Sequence, residues 1–187
     1  MSGHLRVTLE RANHGASPDE IHAGALGCFP VENSGIGGEE TTGLARRFEV
    51  DVLSLQPDVV VILGGINDIN RRGVADPRHV FEMVERALAA NAKVIVGTLP
   101  PAHGPGLNDE KLGAELIRSF NEELFSASRS YGYEVADFYT AMIREGIPDD
   151  LLFKDGVHPN GFGYARMWAV LRTVLAKNDL LLEPPSK

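Results

Sequence analysis

An aspartate and a histidine stand three positions apart in Asp155-Gly156-Val157-His158-Pro159, and far upstream an apolar run ends in Gly65-Ile66-Asn67-Asp68. At that spacing, just ahead of an amphipathic segment, the carboxylate and the imidazole can share one turn. Asp155 then holds the Nδ1 proton and leaves Nε2 as a base. These are the base and orienting acid of a hydrolytic triad. Asn67, where a strand opens into a loop, offers an amide N–H to an oxygen that becomes negative during acyl transfer. Neither segment contains the nucleophile.

Such groups need a scaffold that brings distant loops to one edge. Val59-Val60-Val61-Ile62-Leu63 and Val94-Ile95-Val96-Gly97-Thr98 are short continuous apolar runs, the pattern of parallel strands buried on both faces. Each follows a stretch of helical periodicity, with Leu44, Phe48, Val52 and Leu55 within 42–55 and Val80, Val84, Ala87 and Leu88 within 77–90. A helix over 110–129 (Leu112, Leu116, Phe120, Leu124), a short strand at Glu134-Val135-Ala136-Asp137 and a closing helix over 162–177 (Met167, Val170, Val174, Leu175) complete the pattern. The alternation predicts parallel strands with right-handed crossovers. The expected fold class is α/β, a three-layer α/β/α sandwich with a flavodoxin-like parallel sheet of about five strands, in order 2-1-3-4-5 and as one domain over 1–187. Ligands of such sheets sit outside the carboxyl ends of the strands. Gly38, Asn67 and Thr98-Leu99-Pro100-Pro101 follow the second, third and fourth strands, and Asp155 and His158 follow the fifth.

Taken with Asn33-Ser34-Gly35-Ile36-Gly37-Gly38-Glu39-Glu40-Thr41-Thr42, these segments resemble, in order and spacing over 29–177, three of the four sequence blocks of the SGNH hydrolases, the GDSL esterases and lipases. The resemblance implies the SGNH hydrolase fold and hydrolysis of a small-molecule ester by serine acyl transfer, without cofactor or metal. It implies a triad acid and base in Asp155 and His158, and oxyanion-hole roles for the Gly38 backbone N–H and the Asn67 side-chain amide. The family's first block, Gly-Asp-Ser at the end of the first strand, is absent. Leu5-Arg6-Val7-Thr8-Leu9-Glu10-Arg11-Ala12-Asn13-His14-Gly15-Ala16-Ser17 stands in its place, with a strand but no serine at the strand's end.

Ser17 is the candidate nucleophile, at the start of a helix as the family's serine would be. It also opens Ser17-Pro18-Asp19-Glu20, a capping box with proline at the first helical position, which predicts a short helix over 18–26 with Ser17 as its cap. That context favours the cap over the nucleophile. Ser34 is a further serine in contention. If no hydroxyl fills the position, the chain reads instead as a non-catalytic or impaired protein of the same fold that binds an acyl or carbohydrate ligand through Gly38 and Asn67.

Other readings of these residues are weaker. A metal site built from Asp155, His158 and Asp68 or His103 lacks an H-E-x-x-H or second clustered histidine. The glycines at 35–38 lack the Lys-Ser or Lys-Thr of a P-loop. Asp68 is expected to fix its own turn by accepting backbone N–H groups, and Trp168 and Tyr164 are expected to pack.

A chain of 187 residues with 43% hydrophobic and 24% charged residues suits one globular domain with a real core. Its formal charge of −8 disfavours nucleic acid and anionic membrane partners. Cys28, the only cysteine, forms no internal disulfide and reads as a small buried hydrophobe. No apolar run approaches the ~20 residues of a membrane span, and residues 1–17 lack a signal-peptide core, so a soluble protein, cytoplasmic or otherwise, is expected. Preference among acyl-chain, acetyl-sugar and thioester substrates is expected to follow the loop over 100–109.

Overall fold

The computed structural model describes residues 5–8, 31–103, 109–143 and 151–180. Strands β1 (Leu5–Thr8), β2 (Val31–Asn33), β3 (Val59–Ile62), β4 (Lys93–Gly97) and β5 (Glu134–Ala136) form one five-stranded sheet in the order β2-β1-β3-β4-β5. Every neighbouring pair is parallel, so strand count, order and direction agree with the sequence pattern. β3 is buried along its whole length and β4 from Val94 onward. A crossover sheet is covered on both faces, which is why these strands read as continuous apolar runs.

The helices are α1 (Thr41–Asp51), α2 (Ile66–Arg72), α3 (Arg78–Ala89), α4 (Glu110–Tyr131), α5 (Phe138–Met142) and α6 (Gly161–Lys177). The helix expected over 42–55 stops at Asp51, and a 3₁₀ turn, Leu53–Leu55, follows it. Gln56 then turns left-handed at φ 51°. Val52 stays in the core while Leu55 swings outward to 42% exposure. In α4 the buried stripe runs through Ile117, Phe120, Asn121 and Leu124, and Leu112 is 46% exposed. Each step of four residues overshoots a 3.6-residue turn by about 40°, so a stripe of strict fours leaves the core by the time it reaches Leu112. The short helix α2 occupies a stretch whose sequence reads as loop. Gly73, left-handed at φ 62°, ends it by donating to the carbonyl of Ile69.

Phe48, Ile62, Ile95, Phe120 and Phe138 are among the fully buried side chains that fill the space between sheet and helices. The chain leaving β4 is fixed by Asn121, 4% exposed, which accepts from the N–H of Leu99 at 2.8 Å and donates to its carbonyl at 2.9 Å. Tyr164 and Trp168 pack against the core from α6, as expected. Ser17, the helix expected over 18–26, Cys28 and residues 104–108 of the loop over 100–109 lie outside the described residues. Among the described residues no helix is long and apolar enough to cross a membrane.

Candidate active site

The chain leaves β2 through a turn built by its own polar groups. Asn33 Oδ1 accepts from the N–H of Gly35 at 2.9 Å, and the N–H of Glu39 donates to the carbonyl of Ile36 at 3.2 Å. Gly38 takes the third position of that turn with φ +79°, a left-handed conformation that glycine adopts without strain. Glu39 is then held at both ends. Its carboxylate accepts from Arg47 Nε at 2.8 Å, and Arg47 also grips Asp51 at 2.9 Å. Its carbonyl accepts from Asn67 Nδ2 at 3.0 Å. The loop presenting Gly38 and the amide of Asn67 are thereby fixed to each other across the end of β1, which lies between β2 and β3.

Asp68 departs from its expected role. It lies in the first turn of α2 and is 7% exposed. Its two oxygens accept from the backbone N–H of Thr41 at 2.9 Å and from the Thr41 hydroxyl at 2.8 Å. The start of α1 carries N–H groups without intrahelical acceptors and a partial positive charge, so a carboxylate from another element settles there instead of in its own turn. The effect is to clamp α2, and with it Asn67, onto the Gly38 loop. Ser34 donates its hydroxyl to the carbonyl of Asp51 at 2.8 Å, which occupies it in holding α1.

The other half of the site is a narrow excursion ahead of α6. Phe153 and Pro159 form an antiparallel bridge, reinforced by the N–H of Lys154 donating to the carbonyl of His158 at 2.9 Å and the N–H of Asn160 to the carbonyl of Leu152 at 2.8 Å. Asn160 also caps α6, its side chain accepting from Phe162 and Gly163. At the tip, Asp155 Oδ1 accepts from the backbone N–H groups of Val157 at 3.0 Å and His158 at 2.8 Å. Asp155 Oδ2 lies 2.7 Å from His158 Nδ1. Burial works against ionisation of Asp155, but the hydrogen bonds from His158 and Val157 outweigh it and hold the carboxyl at about 2. An ionised carboxylate only accepts, so Nδ1 carries the hydrogen and the neutral ring turns a lone pair outward at Nε2. The imidazole is 56% exposed and open to a ligand.

This excursion docks on the loop that follows β4, where the N–H of His103 donates to the carbonyl of Gly156 at 2.9 Å. A Cβ on Gly156 would fall 2.0 Å from the carbonyl oxygen of His103, so the approach requires glycine. β4 lies beside β3, and the two halves therefore open on one edge of the sheet. β1 ends at that edge with Thr8, level with Ile62 of β3, and Leu9-Glu10-Arg11 follow it.

The depressed pKa of Asp155 fixes the pH range of the Asp155–His158 link. An unfolded aspartate titrates near ~3.9, above the folded value of about 2. The folded state therefore binds its proton less tightly than the unfolded chain does. The contribution of the carboxylate is complete above roughly pH 4 and disappears as pH falls through about 2. A carboxyl ¹³C titration should show a midpoint near that lower value; a midpoint at the ordinary aspartate position would contradict the hydrogen-bonded geometry.

Asp155 and His158, singled out in the sequence, form a hydrogen-bonded pair, and Asn67 is tied to the Gly38 loop through the carbonyl of Glu39. The Thr41–Asp68 clamp and the reach of Arg71, one helical turn beyond Asn67, escape the sequence because α2 itself reads as loop. The signal for α2 was present in Arg71-Arg72-Gly73, basic residues followed by glycine, which is a helix-stop pattern.

A family model described as GDSL-like lipase/acylhydrolase matches residues 9–166. An acetylxylan esterase of Xylanibacter ruminicola is 27% identical over an alignment of 150 residues that covers 67% of this chain and 30% of that protein, so the chain spans less than a third of this curated relative. Among solved structures, a GDSL-like lipase from Bacteroides thetaiotaomicron superposes with a TM-score of 0.76 at 25% identity, covering 95% of this chain and 89% of the other. A catalytic serine-to-alanine mutant of an acetylxylan esterase from Geobacillus stearothermophilus gives a TM-score of 0.78 at 19% identity with 100% of both chains covered. At that identity the likeness shows the fold alone, the SGNH hydrolase fold expected from the sequence.

Proposed function

Because the chain belongs to the GDSL-like lipase/acylhydrolase family, we propose that it hydrolyses small carboxylic esters at the edge formed by β2, β3 and β4. The observation that carries this reading is the 2.7 Å contact between His158 Nδ1 and Asp155 Oδ2, on a loop docked to the segment that follows β4. His158 Nε2 takes the proton of the attacking oxygen and later returns it to the leaving alcohol. Asp155 keeps the ring oriented and stabilises the imidazolium formed in between. The N–H of Gly38 and the amide of Asn67 receive the carbonyl oxygen as it becomes negative. Of the two hydrogens on Asn67 Nδ2, one bonds Glu39 and sets the direction of the amide. Donation to the oxyanion uses the other.

Ser17 is the serine proposed for the attack. A second reading, a non-catalytic or impaired protein that binds an acyl or carbohydrate ligand, is favoured by one observation. β1 ends at Thr8 between β2 and β3, and the sequence has no serine from Leu5 to Ala16.

A fluorophosphonate, which reacts with an activated serine, locates the attacking group. If Ser17 caps the following helix, as its context favours, no adduct forms and hydrolysis proceeds slowly through water activated by His158. Stoichiometric labelling that vanishes in Ser17→Ala would instead give a complete triad. The same preparation should hydrolyse p-nitrophenyl acetate or an acetylated xylooligosaccharide with saturation kinetics. Rates no higher than those of the unfolded chain would leave only the binding reading.

A further inference from the structure

Arg71 lies four residues after Asn67 on α2, so the two side chains share a face of the helix. Its guanidinium reaches the Gly38 loop, for a Cβ on Gly38 would lie 3.1 Å from Arg71 Nη2. Two other arginines around this loop are neutralised: Arg72 pairs with Glu40, and Arg47 with Glu39 and Asp51. Arg71 is exposed and makes no hydrogen bond or ion pair among the described residues. In a chain of net charge −8, no described residue neutralises this cation beside the oxyanion glycine.

Arg71 also lines a cleft of about 240 Å³ between α2 and α4, where Ile69, Leu112 and Leu116 give apolar walls and Asp109 adds a carboxylate. That volume is below the ~300–1,000 Å³ of sites for drug-sized ligands and has room for one ring or a short chain. Asp109 is engaged in capping α4 through the N–H of Leu112, and its charge confines a bound anion to the Arg71 side of the cleft.

We propose that Arg71 is a substrate-binding residue that selects esters carrying one carboxylate. The planar guanidinium takes the carboxylate through paired hydrogen bonds where it borders the cleft, and the ester end of the molecule extends past it along the Gly38 loop. The reacting bond is taken from the ester-hydrolase reading above; the anion site itself requires no turnover.

Binding of 4-acetamidobenzoate, whose amide replaces the ester, is compared by calorimetry with that of the neutral 4-acetamidobenzamide. The anion should bind at least about tenfold more tightly. The preference should vanish in Arg71→Met and survive in part in Arg71→Lys. Equal affinity for the two compounds, binding of neither, or a preference preserved in Arg71→Met would each overturn the assignment. Hydrolysis of 4-acetoxybenzoate separates this inference from the broader one. Selective binding without hydrolysis removes the esterase reading and leaves the anion site; hydrolysis without selective binding does the reverse.

Discussion

Replacing His158 with alanine should lower kcat/KM for a short-chain aryl ester by about 10²–10⁴, the usual contribution of a positioned general base. The expectation holds whether the attacking oxygen belongs to a serine or to water, because Nε2 removes the proton in either case. Stability should change little. The His158 side chain is 56% exposed, and Asp155 Oδ1 accepts from backbone N–H groups that survive the substitution. The loop should therefore keep its shape without its base. Steady-state rates measured beside urea unfolding check both halves; a variant that keeps its activity would remove His158 from the mechanism.

Asn67→Ala should cost about 10²–10³ in kcat, or roughly 2.7–4 kcal/mol, as expected for loss of one oxyanion donor. The structure adds a second, smaller effect. Asn67 Nδ2 donates to the carbonyl of Glu39 at 3.0 Å, and losing a hydrogen bond of that kind costs about 1 kcal/mol of stability. A purely structural Asn67 would show only this second effect. Turnover and unfolding midpoint measured on one preparation distinguish the two roles, and unchanged turnover would leave Asn67 as a clamp on the Gly38 loop alone.

What could be read in advance divides along physical lines. β3 and β4 were legible because strands covered on both faces are apolar throughout, and Asp155 and His158 because their partnership is local. The short helix α2 was not legible: it begins at Gly65-Ile66-Asn67-Asp68, which resembles a loop, and it buries only Asp68 and Ile69. With α2 hidden, neither the reach of Arg71 to Gly38 nor the true partner of Asp68 could be seen. Thr41 is 27 positions from Asp68, and no sequence pattern encodes that pairing. The dock between Gly156 and His103 was equally hidden, since it runs through backbone atoms. Leu112 was misplaced for another reason: four-residue spacing approximates a helical face over one turn and drifts away from it over two.

In the proposed mechanism Gly38 and Asn67, which follow β2 and β3, and Asp155 and His158, ahead of α6, act on one reacting group. A crystal structure of the chain with acetate, the product of acetyl ester hydrolysis, tests this most directly. One carboxylate should bridge both halves. One oxygen should lie about 2.7–3.1 Å from the Gly38 nitrogen and Asn67 Nδ2, and the other, across one proton brought by acetic acid or held on the imidazolium, within about 2.6–3.2 Å of His158 Nε2. Acetate held by one half alone, with the other out of hydrogen-bond reach, would contradict it.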